Sequence, residues 1–273
     1  MKKEIREVKD NIVQVTIADE RWYIRESTNK ETGLPEYQFV PSVTWICSFY
    51  PKGVRFYQWL ASKGWDEAEA IKQAAGDKGS KVHQAIIDLI DGKTVKIDAK
   101  YVNPTKSAEE ELTLEEYECV LSFSDWFLKT KPEVVAREVV VFNDEYGYAG
   151  TTDLLCKING EPWLIDFKTS QQVWPEHEIQ VSGYKHAIAD NPKLAILQIG
   201  YRRNREKNDG TRTMWKFTEV EDQFDLFLAA RQIWAKETEG QTVFKKDYPL
   251  AISLLPVKEQ PKKVGAVKKV TKK

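Results

Sequence analysis

The stretch that decides the fold is residues 147–170, which read GYAGTTDLLCKINGEPWLIDFKTS. Two segments within it, residues 148–158 and 161–167, are rich in aliphatic, aromatic and β-branched side chains, which favour strands. Asn159-Gly160 lies between them, and this dipeptide favours a tight two-residue hairpin turn. The sequence therefore predicts two adjoining antiparallel strands.

The hairpin brings charged groups together. Asp153 lies on the first strand, and Asp166-Phe167-Lys168 ends the second. Two carboxylates on neighbouring strands repel each other unless a divalent cation binds between them. Lys168 follows Asp166 by two residues and so lies on the same strand face, because side chains alternate with period two. A cation, carboxylates and an ammonium at one point are the groups needed to cut a phosphodiester.

The segments on either side of the hairpin extend it into a larger sheet. Before the hairpin, the sequence pattern predicts a helix over residues 109–129 and a strand over residues 134–142. After the hairpin, it predicts a helix over residues 174–190 and a strand over residues 194–202. A hairpin sheet with a helix before it and a crossover helix after it predicts an α/β sandwich with a mixed sheet. A further strand over residues 211–217 and a helix over residues 220–237 follow.

The N-terminal region has a different pattern. Residues 10–46 are β-rich and interrupted by a polar turn at residues 29–33. Helices are expected over residues 54–62, 67–75 and 78–90, and a polar connector after them. We divide the chain into residues 1–107, a β-hairpin and helical region; residues 108–240, the α/β core; and residues 241–273, a segment ending in a lysine-rich tail expected to be disordered.

Composition narrows the function classes. The net charge of -1 excludes a wholly basic coat, so any phosphate contact must come from a local patch. The three cysteines, Cys47, Cys119 and Cys156, are scattered, which predicts a reducing, cytoplasmic location. The sequence contains no apolar run of membrane-spanning length, which predicts a soluble protein without membrane contact.

Several short motifs occur in one order. They are Gly79-Ser80-Lys81-Val82-His83, Gly150-x-x-Asp153, Asp166-Phe167-Lys168-Thr169 and Gln180-Val181-Ser182-Gly183-Tyr184, preceded by Pro41-Ser42-Val43-Thr44. Together they resemble the PD-(D/E)XK nuclease superfamily, and within it the RecB-type branch of phage, CRISPR-adaptation and mitochondrial genome-maintenance exonucleases. The likeness spans residues 41–202. It implies a restriction-endonuclease-like αβββαβ core with a central mixed sheet flanked by helices, plus an N-terminal β-rich and helical extension.

The resemblance also implies roles for residues. Asp153 and Asp166 would bind Mg²⁺ or Mn²⁺ with the backbone carbonyl of Phe167, and Lys168 would position or help deprotonate water. His83 would be a third ligand through a neutral imidazole nitrogen; a core histidine is the alternative. Glu138 would hold a metal-bound water or second ion, or else pair with Arg137 or a lysine.

Further residues are predicted to contact DNA. Gln180 and Tyr184 share a helix face, and the resemblance implies contacts with a DNA strand or support for Lys168; a capping Gln and a half-buried Tyr are the alternative. Basic residues at the end of the strand predicted over residues 194–202 and directly after it could bind phosphates, unless they form an ordinary solvated loop. They are Arg202, Arg203 and Arg205. Aromatic residues at positions 45–59 could stack bases or simply pack in the core.

The resemblance implies a metal-dependent DNA exonuclease that acts in phage-type recombination, replication or end processing; no segment of the sequence is obviously devoted to reading bases, which also favours an exonuclease. DNA is the expected partner, and a single-strand annealing or recombination protein is a further one. Two alternatives remain: a noncatalytic nucleic-acid-binding subunit, and a site-specific endonuclease of restriction type. The sequence contains no GxxxxGK[ST] loop, so an ATP-driven motor would have to be a separate chain. It leaves the oligomeric state open.

Overall fold

A computed structural model of the chain describes residues 3–9, 11–17, 20–202 and 215–239. Arg203, Arg205 and the segment from residue 241 onward lie outside the described residues, as does most of the strand expected over residues 211–217. The predictions made for them therefore stay predictions.

The described strands and helices follow one another in the order of the sequence. The strands are β1 Lys3–Lys9, β2 Ile12–Ile17, β3 Glu20–Thr28, β4 Pro35–Pro41, β5 Lys100–Asn103, β6 Ala108–Glu111, β7 Glu133–Asn143, β8 Tyr148–Ile158, β9 Glu161–Lys168, β10 Lys193–Ile199 and β11 Trp215–Val220. The helices are α1 Val43–Cys47, α2 Val54–Lys63, α3 Trp65–Ile90, α4 Leu114–Thr130, α5 Pro175–Lys185 and α6 Phe224–Glu237.

The central sheet has the order β11-β10-β9-β8-β7. Among the described strands of this sheet, only the β9–β10 pair is parallel, and the crossover between these two strands contains α5. The chain is thus a mixed α/β protein, as predicted, in which a helix, three strands, a helix and a strand follow in that order from α4 to β10. The strands β1 to β4 form a separate antiparallel sheet.

The β8–β9 hairpin sets the position of the acidic residues. Asn159 and Gly160 both have left-handed backbone angles, with φ of 53° and 81°, which is the conformation of a type I′ turn. The register pairs Leu154 with Ile165 and so places Asp153 opposite Asp166. The first predicted strand of the hairpin matches β8, and the second reaches one residue further than predicted, to Lys168.

Helices cover the two faces of the central sheet. On one face, Ile165 and Phe167 of β9 pack in a cluster with Val82 of α3 and Phe123 of α4. On the other face, residues of β9 and β10 pack in a second cluster with residues of α1, α5 and α6. This second cluster includes Leu164, Ile196, Val43, Ile179 and Phe227. Asp166 and Lys168 alternate with Phe167 along β9, so they share the face covered by α5.

The N-terminal half departs from prediction in three places. Residues 43–46 belong to helix α1 rather than to a strand, because the hydroxyl of Ser42 accepts a hydrogen bond from the Trp45 N–H and begins the helix. The segments 67–75 and 78–90 form a single helix, α3, which continues through Gly76 and Gly79. The expected connector contains strand β5, which pairs with β6.

Helix ends also differ from prediction. Helix α4 begins at Leu114 rather than at residue 109, because Thr113 and Glu116 form a capping box and residues 108–111 form strand β6. Helix α5 ends at Lys185, and α6 begins at Phe224. In each case a local cap or a strand partner outweighs the apolar periodicity that suggested a longer helix.

Two further expectations concern compartment and membrane. The thiols of Cys47, Cys119 and Cys156 are all free and buried. No helix in the described part of the chain combines the length and the apolar character that crossing a membrane requires.

Candidate active site

An ion pair lies at the end of β9. Nζ of Lys168 lies 2.5 Å from Oδ2 of Asp166, and the Asp166 side chain is only 4% exposed. Gln180 on α5 bridges the two residues: its Oε1 accepts a hydrogen bond from Lys168 at 3.3 Å, and its Nε2 donates to Oδ1 of Asp166 at 3.4 Å. The strand and the helix therefore hold the ammonium and the carboxylate together.

Gln180 is in turn oriented by Tyr184, one helical turn further along α5. Nε2 of Gln180 also donates to the Tyr184 hydroxyl at 2.8 Å. Tyr184 lies against Gly150 of β8, where a Cβ atom would come within 2.4 Å of the tyrosine ring. Gly150 is therefore needed for the close approach of α5 to β8, and the predicted pairing of Gln180 with Tyr184 on one helix face is observed.

Asp153 is held by a second set of contacts. Its Oδ2 accepts a hydrogen bond from the Phe167 N–H at 2.7 Å, and its Oδ1 lies 3.3 Å from Nδ1 of His83. The other ring nitrogen of His83, Nε2, is 3.2 Å from the Phe167 carbonyl oxygen. The His83 side chain is 33% exposed, so it lies at the rim of the site and not in the core.

Burial and charge shift the pKa values of these groups. Burial raises the pKa of Asp166 to about 6; Lys168 offsets part of this rise, and Asp153 adds to it. Burial also acts to raise the pKa of Asp153, but His83, Lys168 and the Phe167 N–H outweigh burial and hold this pKa below its usual value. The pKa of Lys168 is raised, because the two carboxylates outweigh the effect of burial.

The kinds of donor atom in the site suit a hard divalent cation. Burial acts to lower the pKa of His83, but Asp153 outweighs burial and raises it, so a protonated imidazole would donate from Nδ1 to Asp153 and from Nε2 to the Phe167 carbonyl oxygen. In the neutral form that donates to Asp153, the lone pair of Nε2 would face this carbonyl oxygen, and a cation between the two acceptors would take the place of the proton. Asp153 and Asp166 add carboxylate oxygens, which Mg²⁺ and Mn²⁺ prefer. As placed, no three His, Cys, Asp or Glu side chains among the described residues are close enough together to hold an ion.

Glu138 lies on β7, the strand that pairs with β8, and its carboxylate forms ion pairs with residues outside this cluster. The β7–β8 register places it opposite Asp153, in a left-handed conformation with φ of 46°. Its carboxylate lies 3.2 Å from Arg6 of β1 and 3.9 Å from Arg137. These contacts match the alternative in which Glu138 pairs with neighbouring basic groups, and its role with water or a second ion stays a prediction.

Arg202, predicted to bind DNA, is exposed. Its guanidinium lies 3.3 Å from Glu115 and 3.8 Å from Glu118 of α4. Its backbone N–H donates to the side chain of Gln171, three residues after Lys168. The structure thus places Arg202 near the loop that follows the site, and its contact with phosphate stays a prediction.

The first turn of α5 contributes residues that the motifs did not indicate. Glu176 forms an ion pair with Lys52 from the segment before α2. Burial, then Lys168, then Lys52 lower the pKa of His177 to about 3, so its imidazole is neutral. The signal in the sequence was Trp174-Pro175-Glu176: proline at the first helical position followed by an acidic residue marks a helix start.

Comparisons with known proteins add little. No family model and no curated protein matches the chain. Among solved structures, it is similar to an alkaline exonuclease (LHK-Exo) from Laribacter hongkongensis, with 13% sequence identity, a TM-score of 0.35, and coverage of 72% of this chain and 87% of that one. A TM-score this low does not establish a common fold.

Proposed function

We propose that this protein is a metal-dependent DNA exonuclease of the RecB-type branch of the PD-(D/E)XK nucleases, with the restriction-endonuclease-like core of that superfamily. The observation that carries the proposal is the contact of Lys168 with Asp166 directly across from Asp153. An ordinary surface ion pair would not combine a buried carboxylate with a second, half-buried carboxylate on the neighbouring strand. The motif order noted in the sequence supports the same reading.

Four groups would hold the cation. They are the carboxylates of Asp153 and Asp166, the carbonyl of Phe167 and a ring nitrogen of His83. Mg²⁺ or Mn²⁺ bound there would supply a Lewis acid for the phosphate and lower the pKa of the attacking water. The contacts of Asp153 and Asp166 with His83, Lys168 and Gln180 orient the carboxylates before any ion binds.

Lys168 contributes as a charge. Its pKa is raised by Asp166 and Asp153 in spite of burial, so it stays protonated at neutral pH. A protonated lysine does not accept the proton of water; it stabilises the negative charge that builds up on the phosphate in the transition state. Gln180 keeps its ammonium group beside Asp166, and Tyr184 keeps Gln180 in place.

The choice of DNA ends as substrate, and of recombination, replication or end processing as the setting, rests on the motif resemblance. A closed circular plasmid and the same plasmid linearised, each with Mg²⁺ or Mn²⁺, test it by gel electrophoresis. We expect the linear DNA to be degraded and the circle to survive. Defined fragments from the circle would favour a restriction-type endonuclease, and binding without cleavage of either form would favour a noncatalytic subunit.

The site itself is tested by Asp166→Asn with Asp144→Asn as its control. The control aspartate also pairs with a basic residue, Arg25, but on the surface. We expect Asp166→Asn to lower the rate of DNA hydrolysis about 100-fold or more, because a carboxylate in the site is lost. Equal rates for Asp166→Asn and the parent would contradict the assignment.

The proposed ligand role of His83 is tested by the dependence of the rate on Mn²⁺ concentration. We expect His83→Ala to require a higher Mn²⁺ concentration for half-maximal rate. His186→Ala is the control, because His186 is comparably exposed and contacts Asp222 and Phe224 instead. An unchanged Mn²⁺ requirement in His83→Ala would return this histidine to a packing role.

A further inference from the structure

Helix α2 and the first half of α3 form a two-helix segment, joined at Gly64, that contributes little to the core. Between Val54 and Ser80, Ala68 is buried and the other side chains are exposed or half-buried. Helix α2 has no buried residue at all over its length of 10 residues. A helix with so little packing against the body receives little stabilisation from burial, so its apolar side chains call for another explanation.

Residues at both ends of this two-helix segment lie next to the candidate active site. Just before α2, Lys52 forms its ion pair with Glu176, next to His177 on the first turn of α5. At the other end, Gly79 of α3 faces Thr169, the residue after Lys168, and a Cβ on Gly79 would lie 3.9 Å from the threonine hydroxyl oxygen. The two-helix segment is therefore attached to the protein on two sides of the site.

The side chains of α2 form an aromatic surface. Phe56 and Tyr57 are adjacent on this short helix and are 38% and 56% exposed. The Phe56 ring centroid lies 5.6 Å from that of Tyr57 and 5.8 Å from that of Trp59. Nζ of Lys52 lies 5.9 Å from the Phe56 centroid, so the aromatic surface continues directly into the ion pair beside the site.

Charge is distributed unevenly along α2 and the first half of α3. The segment 51–65, PKGVRFYQWLASKGW, contains Lys52, Arg55 and Lys63 and no acidic residue, although the whole chain has a net charge of -1. The next segment, 66–77, is acidic. Because Lys52 pairs with Glu176 and Lys63 with Glu67, the positive charge that α2 combines with its exposed rings is that of Arg55. This combination matches single-stranded DNA, whose phosphates are anionic and whose base faces are free to stack.

We infer that α2 is a binding surface for single-stranded DNA that delivers a strand to the candidate active site, with Phe56 and Tyr57 stacking on bases and Arg55 contacting phosphate. Duplex DNA hides its base faces, so this surface favours a single-stranded end or tail over a blunt end. The inference rests on the proposed nuclease function and adds the class of substrate to it.

Fluorescence anisotropy of labelled oligothymidylate, measured with the full-length chain and no divalent cation, tests the surface. We expect the parent to bind and the Phe56→Ala/Tyr57→Ala double variant to bind at least about tenfold more weakly, as the loss of base stacking predicts. Phe56→Trp/Tyr57→Phe keeps the rings and should keep the affinity. Leu128→Ala is the matched control, because Leu128 is 70% exposed on α4.

Arg55→Gln tests the phosphate contact through salt. We expect it to reduce the slope of log affinity against log salt concentration by about 0.7, the value for one phosphate contact on a single strand. In the presence of Mg²⁺ or Mn²⁺, the double variant should degrade a tailed duplex more slowly than the parent, and this loss of rate should be larger than the loss on a blunt duplex.

Several outcomes would overturn the inference. The first is that the parent does not bind oligothymidylate, and the second is that the parent and the double variant bind it with equal affinity. The third is that light scattering shows a dimer of the parent but not of the double variant, while the DNA affinity is unchanged. This third result would assign the surface to contact with a second copy of the chain. If the chain binds oligothymidylate through α2 but cleaves no DNA, the nuclease proposal fails and the surface stands. If it cleaves DNA and the α2 variants behave as the parent, the surface fails and the nuclease stands.

Discussion

Two lysine–carboxylate pairs in this molecule have similar Nζ–O distances and a buried carboxylate, but different surroundings. Lys81 and Glu116 join α3 to α4 with Nζ 2.8 Å from Oε2 and side chains 5% and 6% exposed. Lys168 and Asp166 lie 2.5 Å apart, with side chains 18% and 4% exposed. Distance and burial alone would not tell which pair has a function.

The difference lies in what else each carboxylate contacts. Glu116 also accepts the Thr113 N–H at 2.8 Å, so it caps α4 while it binds Lys81. Lys81 in turn donates to the Glu111 carbonyl and lies 3.9 Å from Glu110, a second carboxylate that is itself bound by Lys106 and Asn103. Asp166 instead faces a second carboxylate, Asp153, and its pKa is raised to about 6 by burial, with Asp153 adding to the rise. A pair whose groups are used locally serves the fold, whereas an excess of buried negative charge favours a cation.

The largest expected effect is on the rate of DNA hydrolysis, and it distinguishes the Lys168–Asp166 pair from the Lys81–Glu116 pair. We expect Lys168→Met to lower the rate of DNA hydrolysis about 100-fold or more, because the charge that faces the phosphate is lost. The fold should survive, since burial already raises the pKa of Asp166 to about 6 in the parent, so protonating this carboxyl group in the absence of Lys168 costs little free energy near neutral pH. Lys193→Met, at an exposed pair with Glu161, is the control and should retain the parent rate.

The reverse result is expected at the other pair. Lys81→Met leaves the buried Glu116 without its cation and should lower the free energy of unfolding by about 3 kcal/mol. Urea denaturation followed by circular dichroism measures this change. The hydrolysis rate per folded molecule should stay at the parent value, although Lys81 lies only two residues from His83. A stable but inactive Lys81→Met would contradict the division into a structural and a functional pair.

A smaller effect is expected at the bridge between the two charges. Gln180→Ala removes the hydrogen bonds to Lys168 and Asp166 and should lower the hydrolysis rate about tenfold, the equivalent of one hydrogen bond to a charged group. Gln38→Ala, on the surface of β4, serves as the control for loss of an amide. A rate equal to that of the parent would mean that the strand alone positions the ammonium.

The smallest effect is expected at Glu138. Its ion pairs with Arg6 and Arg137 are exposed, so Glu138→Gln should change the free energy of unfolding by less than about 1 kcal/mol. Its hydrolysis rate should remain close to that of the parent. A fall of about tenfold or more would make Glu138 a third acid of the site, acting through water or a second ion.

Local patterns explain which parts were predictable. Asn159-Gly160 specifies its turn within two residues, and the strands on either side follow from their composition, so β8 has the predicted bounds. The alternation of side chains along β9 then places Asp166 and Lys168 on one face without any knowledge of the rest of the chain. The wrong boundaries lie where a distant or capping partner decides, as at Ser42, Thr113 and the β5–β6 pair.

The sequence by itself determined the hairpin, the relative positions of Asp153, Asp166 and Lys168 on it, and the mixed α/β class, because these depend on period, turn chemistry and order along the chain. Tertiary structure decided that Gln180 bridges the ion pair, that Lys52 reaches Glu176 across 124 residues and that α2 stays outside the core. Those contacts depend on how helices pack against the sheet, and packing is a property of the whole folded chain rather than of any short segment.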